Sequence, residues 1–203
     1  MCVSPCSPLA TWRSEPAWDA GTSGKMVPVL VIIIGGLPAT GKTMLARALA
    51  RQIGAVHLRV DIIEQAIVRS GLAAQPLGPG GYAVAYALAE DHLRQGLTVI
   101  AESVNPLAIT RDAWRDVAVR VGVAAVEAEI VCSDTAEHRH WAEHQTVSIP
   151  GLALPSWDAI ARRDYEPWHR EHVVIDTAGR DAAACVTELR RVLSQVQASS
   201  STG

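Results

Sequence analysis

An apolar strand, Val29 to Ile34, runs straight into Gly35-Gly36-Leu37-Pro38-Ala39-Thr40-Gly41-Lys42-Thr43, and a helical pattern then continues from Met44 to Gln52. Strand, glycine-rich loop and helix in this order are the context in which G-x-x-x-x-G-K-[ST] cradles phosphate. Glycine lets the backbone fold so tightly that successive amides converge on phosphate oxygens, and the helix N-terminus adds partial positive charge. Gly36, Leu37, Pro38, Ala39, Thr40, Gly41, Lys42 and Thr43 are therefore the expected nucleotide cradle. Lys42 meets the β- and γ-phosphates, and the Thr43 hydroxyl completes a magnesium shell. The chain has only two lysines, Lys25 and Lys42. A chance match is thus on the order of one in a thousand. The expected ligands are ATP and Mg2+.

Around this loop, helical and apolar strand patterns alternate. Strands are expected near Val56 to Val60, Thr98 to Ala101, Val126 to Val131 and His172 to Ile175. Helices are expected from Asp61, from Tyr82 to Gln95, from a Thr110 cap to Val121, from Ser133 to Gln145, from Ser156, and finally to about Val196. Parallel strands need long crossovers, and here the crossovers are helical. The fold class is α/β: a P-loop NTPase three-layer sandwich with a five-stranded, mostly parallel sheet and a helical lid at about 134–166. Residues 1–25 mix Pro, Ser, Gly and Trp without periodicity and read as a disordered leader. The P-loop domain is expected to span 26–197 and a flexible tail 198–203.

With 203 residues, 49% hydrophobic and 19% charged, one substantial core is within reach. No apolar run is long enough to span a bilayer, so the expectation is a cytoplasmic protein without membrane contact. A net charge of -3 argues against nucleic acid as partner. Cys2, Cys6, Cys132 and Cys185 have neither zinc nor disulfide spacing.

A P-loop serves kinases, GTPases and motors alike. Three features favour a kinase. Asp61 closes the second strand where a carboxylate can accept a proton from an incoming hydroxyl, although an Asp there is an equally good helix cap. Glu102 ends another strand, in Thr98-Val99-Ile100-Ala101-Glu102, and can hold magnesium through water. Arg139, Arg162 and Arg163 surround an irregular Pro- and Gly-containing stretch that suits a lid closing over the triphosphate.

The segments GLPATGKT, HLRVD ending at Asp61, GLTVIAESVNPLAITRDAWR, CSDTAEHRHWAEH and LPSWDAIARRDYEPW together resemble the small P-loop kinases of the AAA-type ATPase group. These are similar to chloramphenicol phosphotransferases, gluconate kinases and the kinase domain of polynucleotide kinase, and the likeness runs from about Val29 to Val196. It implies that Lys42 and Thr43 bind phosphate and magnesium, that Asp61 receives the acceptor hydroxyl, and that Arg163 is a lid arginine near the phosphates. Two positions depart from the pattern. Glu102 stands where the family's strand carries Asp, and Gln145 stands where its lid helix often carries Arg, which leaves Arg139, Arg162 or Arg163 to supply that charge.

A rival signal, Asp176-Thr177-Ala178-Gly179, matches the γ-phosphate sensor of GTPases. It falls too near the end of the chain, however, and no guanine motif accompanies it. As the turn after the last strand, Asp176 to Arg180 can border adenine, which adds Arg180 to the nucleotide contacts. His140 and His144 share a helix face with His138 nearby, but no third metal ligand is evident. The expected function is ATP-dependent phosphoryl transfer to a hydroxyl of a small molecule. The alternatives are an oligonucleotide 5′-hydroxyl kinase and a catalytically weak ATP-binding regulator. The acceptor region, roughly Ile62 to Gly81 and the lid, reads as mostly apolar and small.

Overall fold

The computed structural model describes residues 29–200, the side chains of 196–200 excepted. The expected leader therefore lies outside the described residues, as do the last three positions of the tail. Twelve elements follow in order: β1 (Leu30–Gly35), α1 (Lys42–Ile53), β2 (Val56–Arg59), α2 (Val60–Arg69), α3 (Gly80–Arg94), β3 (Val99–Glu102), α4 (Ala108–Val121), β4 (Ala124–Val131), α5 (Thr135–His144), α6 (Trp157–Ala161), β5 (Val173–Asp176) and α7 (Ala182–Ser200).

The sheet order is β2-β3-β1-β4-β5, and every pairing is parallel. β1 lies at its centre and all six of its residues are buried. Alternation along the strand sends its side chains to two cores. Leu30, Ile32 and Ile34 pack with Leu45 and Leu49 of α1 and with Val186 and Leu189 of α7. Val31 and Ile33 pack with Ala85 and Ala89 of α3 and with Trp114 and Val117 of α4. This is the three-layer sandwich, and it explains why β1 reads as an unbroken apolar run. Among the described residues no helix is long and apolar enough to cross a membrane.

Several helix boundaries differ from the sequence reading, and at α4 a tertiary contact does the capping. α4 begins at Ala108, not at a Thr110 cap; the Ala108 amide donates to Glu166 Oε2 at 2.6 Å, and Thr110 turns its hydroxyl back to the Leu107 carbonyl at 2.7 Å. α2 begins at Val60 after Arg59, so Asp61 lies in the first turn and caps nothing. α7 runs on through Ser200, past the expected end near Val196. Asp134 and Ser156 do cap α5 and α6 through their side chains.

The phosphate loop is fixed by backbone that only certain residues tolerate. Gly36 sits at φ +136, and a Cβ there would overlap the Ile130 carbonyl oxygen. Gly41, the residue before α1, is left-handed at φ 89. Gly36→Ala is expected to lower stability by roughly 2–4 kcal/mol, combining left-handed strain with the clash; urea unfolding of the ligand-free protein checks this.

Candidate active site

The loop and the carboxyl ends of β2 and β3 converge because the parallel register sets Ile34 beside Glu102 and Arg59 beside Glu102 on the other side. Lys42 is buried, and its Nζ donates to the Leu37 carbonyl at 2.6 Å. Burial lowers its pKa to about 8, against the opposing pull of the Glu102 and Asp61 charges. The Thr40 hydroxyl closes the loop on the same Leu37 carbonyl at 2.9 Å.

Glu102 is almost fully buried and is the hub of the site. It accepts hydrogen bonds from the Thr43 hydroxyl and from His57 Nε2, the latter at 2.7 Å, and pairs with Arg59 Nε at 3.4 Å. Burial alone would push its carboxyl up, but His57, Thr43, Arg59 and Lys42 together outweigh burial and hold it below the ordinary range. The two expected metal residues are thus in contact. A hydroxyl and an ionised carboxylate form a hard oxygen set that would suit Mg2+. Glu102→Gln keeps the shape but removes the charge. It is expected to raise the magnesium concentration for half-maximal activity by about tenfold, read from a magnesium titration of ATP turnover.

Asp61 projects from the first turn of α2 into this site. Burial raises its carboxyl pKa, an effect that the nearby positive charges of Lys42, Arg59 and Arg163 only partly offset. No side-chain hydrogen bond within the described residues engages it. Arg163, exposed just after α6, lies near enough for its charge to act on both Lys42 and Asp61. The structure therefore brings Lys42, Thr43, Asp61, Glu102 and Arg163 together.

Arg139 and Arg180 are engaged elsewhere. Arg139 pairs with Glu143 one turn along α5 at 2.8 Å. Arg180 pairs with Glu188 at 2.7 Å and donates to the Asp176 carbonyl at 3.1 Å. The turn after β5 reaches the loop through Thr177 instead, whose hydroxyl lies 3.2 Å from the Thr40 carbonyl. Arg162 pairs with Asp158 at 3.1 Å, and Gln145 ends α5 with its side chain on the Ala142 carbonyl. His140 and His144 stack on each other at 4.2 Å, and the described residues contain no cluster of three metal-ligating side chains.

Several site residues escaped the sequence reading. His57 and Arg59 alternate along β2 and so share a face, a signal present in HLRVD, but their meeting with Glu102 depends on strand register. His138, buried on α5, reaches the Pro38 carbonyl at 2.8 Å and sets its ring edge-on to Trp157, which docks the lid on the loop. Arg111, fully buried in α4, donates to the carbonyls of Asn105, Glu166 and Pro167 and lies over the Trp168 ring, which packs against Gly35. The lid is thereby anchored at both of its ends.

Residues 31–148, more than half of the chain, match the AAA domain family. The chain belongs to that family. No curated protein matches. Among solved structures, a gluconokinase from Sinorhizobium meliloti 1021 aligns with a TM-score of 0.61 and 19% identity, over 86% of this chain and 97% of that one. The Mycobacterium tuberculosis APS kinase, solved with AMPPNP and APS, aligns with a TM-score of 0.61 and 16% identity, over 82% and 98%. A sugar kinase from Janibacter sp. HTCC2649 aligns with a TM-score of 0.57 and 13% identity, over 80% and 92%. The fold of this AAA-domain protein is that of the small P-loop kinases.

Proposed function

We propose that the protein transfers the γ-phosphoryl group of ATP to a hydroxyl of a small molecule. The observation that carries this reading is a carboxylate, Asp61, held unpaired beside the P-loop lysine, with Lys42, Arg59 and Arg163 close enough to act on it. A switch GTPase or a motor needs a water-positioning group at the γ-phosphate; a kinase needs a base aimed at an incoming alcohol, and Asp61 fits that role.

In the proposed reaction the triphosphate lies along Gly36 to Thr43, with the loop amides and Lys42 on its oxygens. Magnesium, when bound at Thr43 and Glu102, would neutralise phosphate charge. Asp61 accepts the acceptor's proton as the acceptor oxygen bonds to the γ-phosphorus and the bond to ADP breaks. Arg163 faces the charge on the transferred group, and the lid docked through His138 keeps water out. Positioning and electrostatics supply most of the rate.

Thermal stabilisation by ATP and by GTP, each with magnesium, followed by an ATP-consumption screen over sugars, nucleosides, hydroxylated antibiotics and a 5′-hydroxyl oligonucleotide, tests the reading. Acceptor-dependent ADP release supports it. Nucleotide binding with no acceptor effect across the screen would favour a regulatory ATP binder.

A further inference from the structure

The side of the cleft that faces away from the phosphates is not the apolar surface its sequence suggests. Asp61, Glu64 and Gln65 stand three and four residues apart on α2, so they share one face. Glu64 is half-buried, and no hydrogen bond or ion pair among the described residues engages its carboxylate. The one charged group near enough to act on it is another carboxylate, Asp61. Its place is kept open by Gly81 on α3, where any Cβ would collide with the Glu64 side chain. Gln65 is 8% exposed, yet its amide makes no hydrogen bond among the described residues; its Nε2 reaches beneath Gly151 of the lid, 2.9 Å from where a Cβ would stand there. The Tyr82 ring, close enough to feel the charges of Glu64 and Asp61, completes this wall.

A half-buried carboxylate without a counter-charge, next to a largely buried glutamine whose amide has no protein partner among the described residues, is an arrangement a protein keeps when a ligand supplies what is missing. The cations near Asp61 are Arg59, paired with Glu102, Lys42, held by the loop, and Arg163 after α6, and none of them acts on Glu64. We infer that the acceptor is an amino alcohol whose protonated amine sits against Glu64, with Gln65 as a neutral hydrogen-bonding partner, while its hydroxyl meets Asp61. The spacing of the two carboxylates on α2 sets amine and hydroxyl about 5–6 Å apart. This rests on the phosphotransferase reading of the same cleft.

Calorimetric titration of the full chain, saturated with magnesium and a non-hydrolysable ATP analogue, tests it. Ethanolamine, glucosamine and kanamycin are compared with their N-acetylated forms, and gluconate is included as an anionic alcohol. At least one amine is expected to bind about tenfold or more tighter than its acetylated form, and Glu64→Gln is expected to remove that preference without changing affinity for the ATP analogue. Gly81→Ala, which keeps the charge but displaces Glu64, should weaken amine binding in the same direction. If no amine outbinds its acetylated form, or if Glu64→Gln leaves the preference intact, the inference is overturned. ATP turnover with the same panel decides the other question. Transfer only to acetylated or anionic acceptors keeps the kinase and overturns the amine; Glu64-dependent amine binding without transfer to any acceptor supports the amine and counts against phosphotransfer.

Discussion

Replacing Lys42 with alanine is expected to erase the thermal stabilisation given by MgATP and to lower phosphoryl transfer by about 10²–10³-fold or more. Lys42 is the one lysine among the described residues, and its ammonium is desolvated before nucleotide arrives, tethered only to the Leu37 carbonyl. Burial has already weakened its hold on the proton, to about 8. Phosphate oxygens would replace that single carbonyl with full negative charge in a low-dielectric pocket, where such contacts are strong. No neighbouring side chain can take over, since Arg59 is held by Glu102 and Arg163 approaches from the exposed lid. Differential scanning fluorimetry with and without MgATP, with ADP release as the second readout, checks this. An undiminished ATP shift in Lys42→Ala would contradict the assignment of the loop.

Asp61→Asn is expected to remove transfer by about 10²–10⁴-fold while leaving nucleotide affinity within a few-fold of wild type. The same variant should be more stable. Burial raises the Asp61 pKa above its ordinary value of 3.8, so the folded state holds this proton more tightly than the unfolded chain does. Ionising the group therefore costs folding free energy. The cost is absent at low pH, where both states are protonated, and grows as pH rises through 3.8 and above. The melting temperature of Asp61→Asn should match wild type near pH 3 and exceed it near pH 7. A side chain that destabilises the fold at neutral pH and yet stands beside the P-loop lysine is the pattern expected of a reactive group. Loss of ATP affinity together with transfer would instead point to a structural role for Asp61 in α2.

The phosphate loop was legible because its chemistry is local. Glycines at 36 and 41, a lysine and a hydroxyl next to it, and flanking strand and helix periodicity all lie within one stretch of chain, and loop backbone geometry follows from those residue types. The alternating strands and helices were legible for a similar reason, since each strand is a short apolar run. Of the misread boundaries, that of α4 has its cause in a tertiary contact. α4 takes its N-terminal cap from Glu166, which is distant in sequence, so no neighbouring residue announces it.

The polar face of α2 was not legible for a different reason. Between Ile62 and Gly81 most residues are apolar or small, and composition does not say which of them face inward. Helical spacing puts Asp61, Glu64 and Gln65 on one face, but only the packing of α2 against α3, with Gly81 under Glu64, turns that face into the cleft. His138, read only beside His140 and His144, and Arg111 likewise gave no sign of their contacts until their helices docked on the Pro38 carbonyl and on the chain around Trp168.

By itself, then, the sequence determined the class of fold, the nucleotide loop and the chain positions of its candidate base, metal carboxylate and lid, because short-range periodicity and motif spacing carry that information. Only the tertiary structure decided which charges meet. Parallel register joins Glu102 to His57 and Arg59, and the start of α1 brings Thr43 to it. Ion pairs draw Arg139 and Arg180 to other partners. Burial without a counter-charge leaves Glu64 for a ligand, and these outcomes depend on contacts between residues far apart in the chain, which no local pattern encodes.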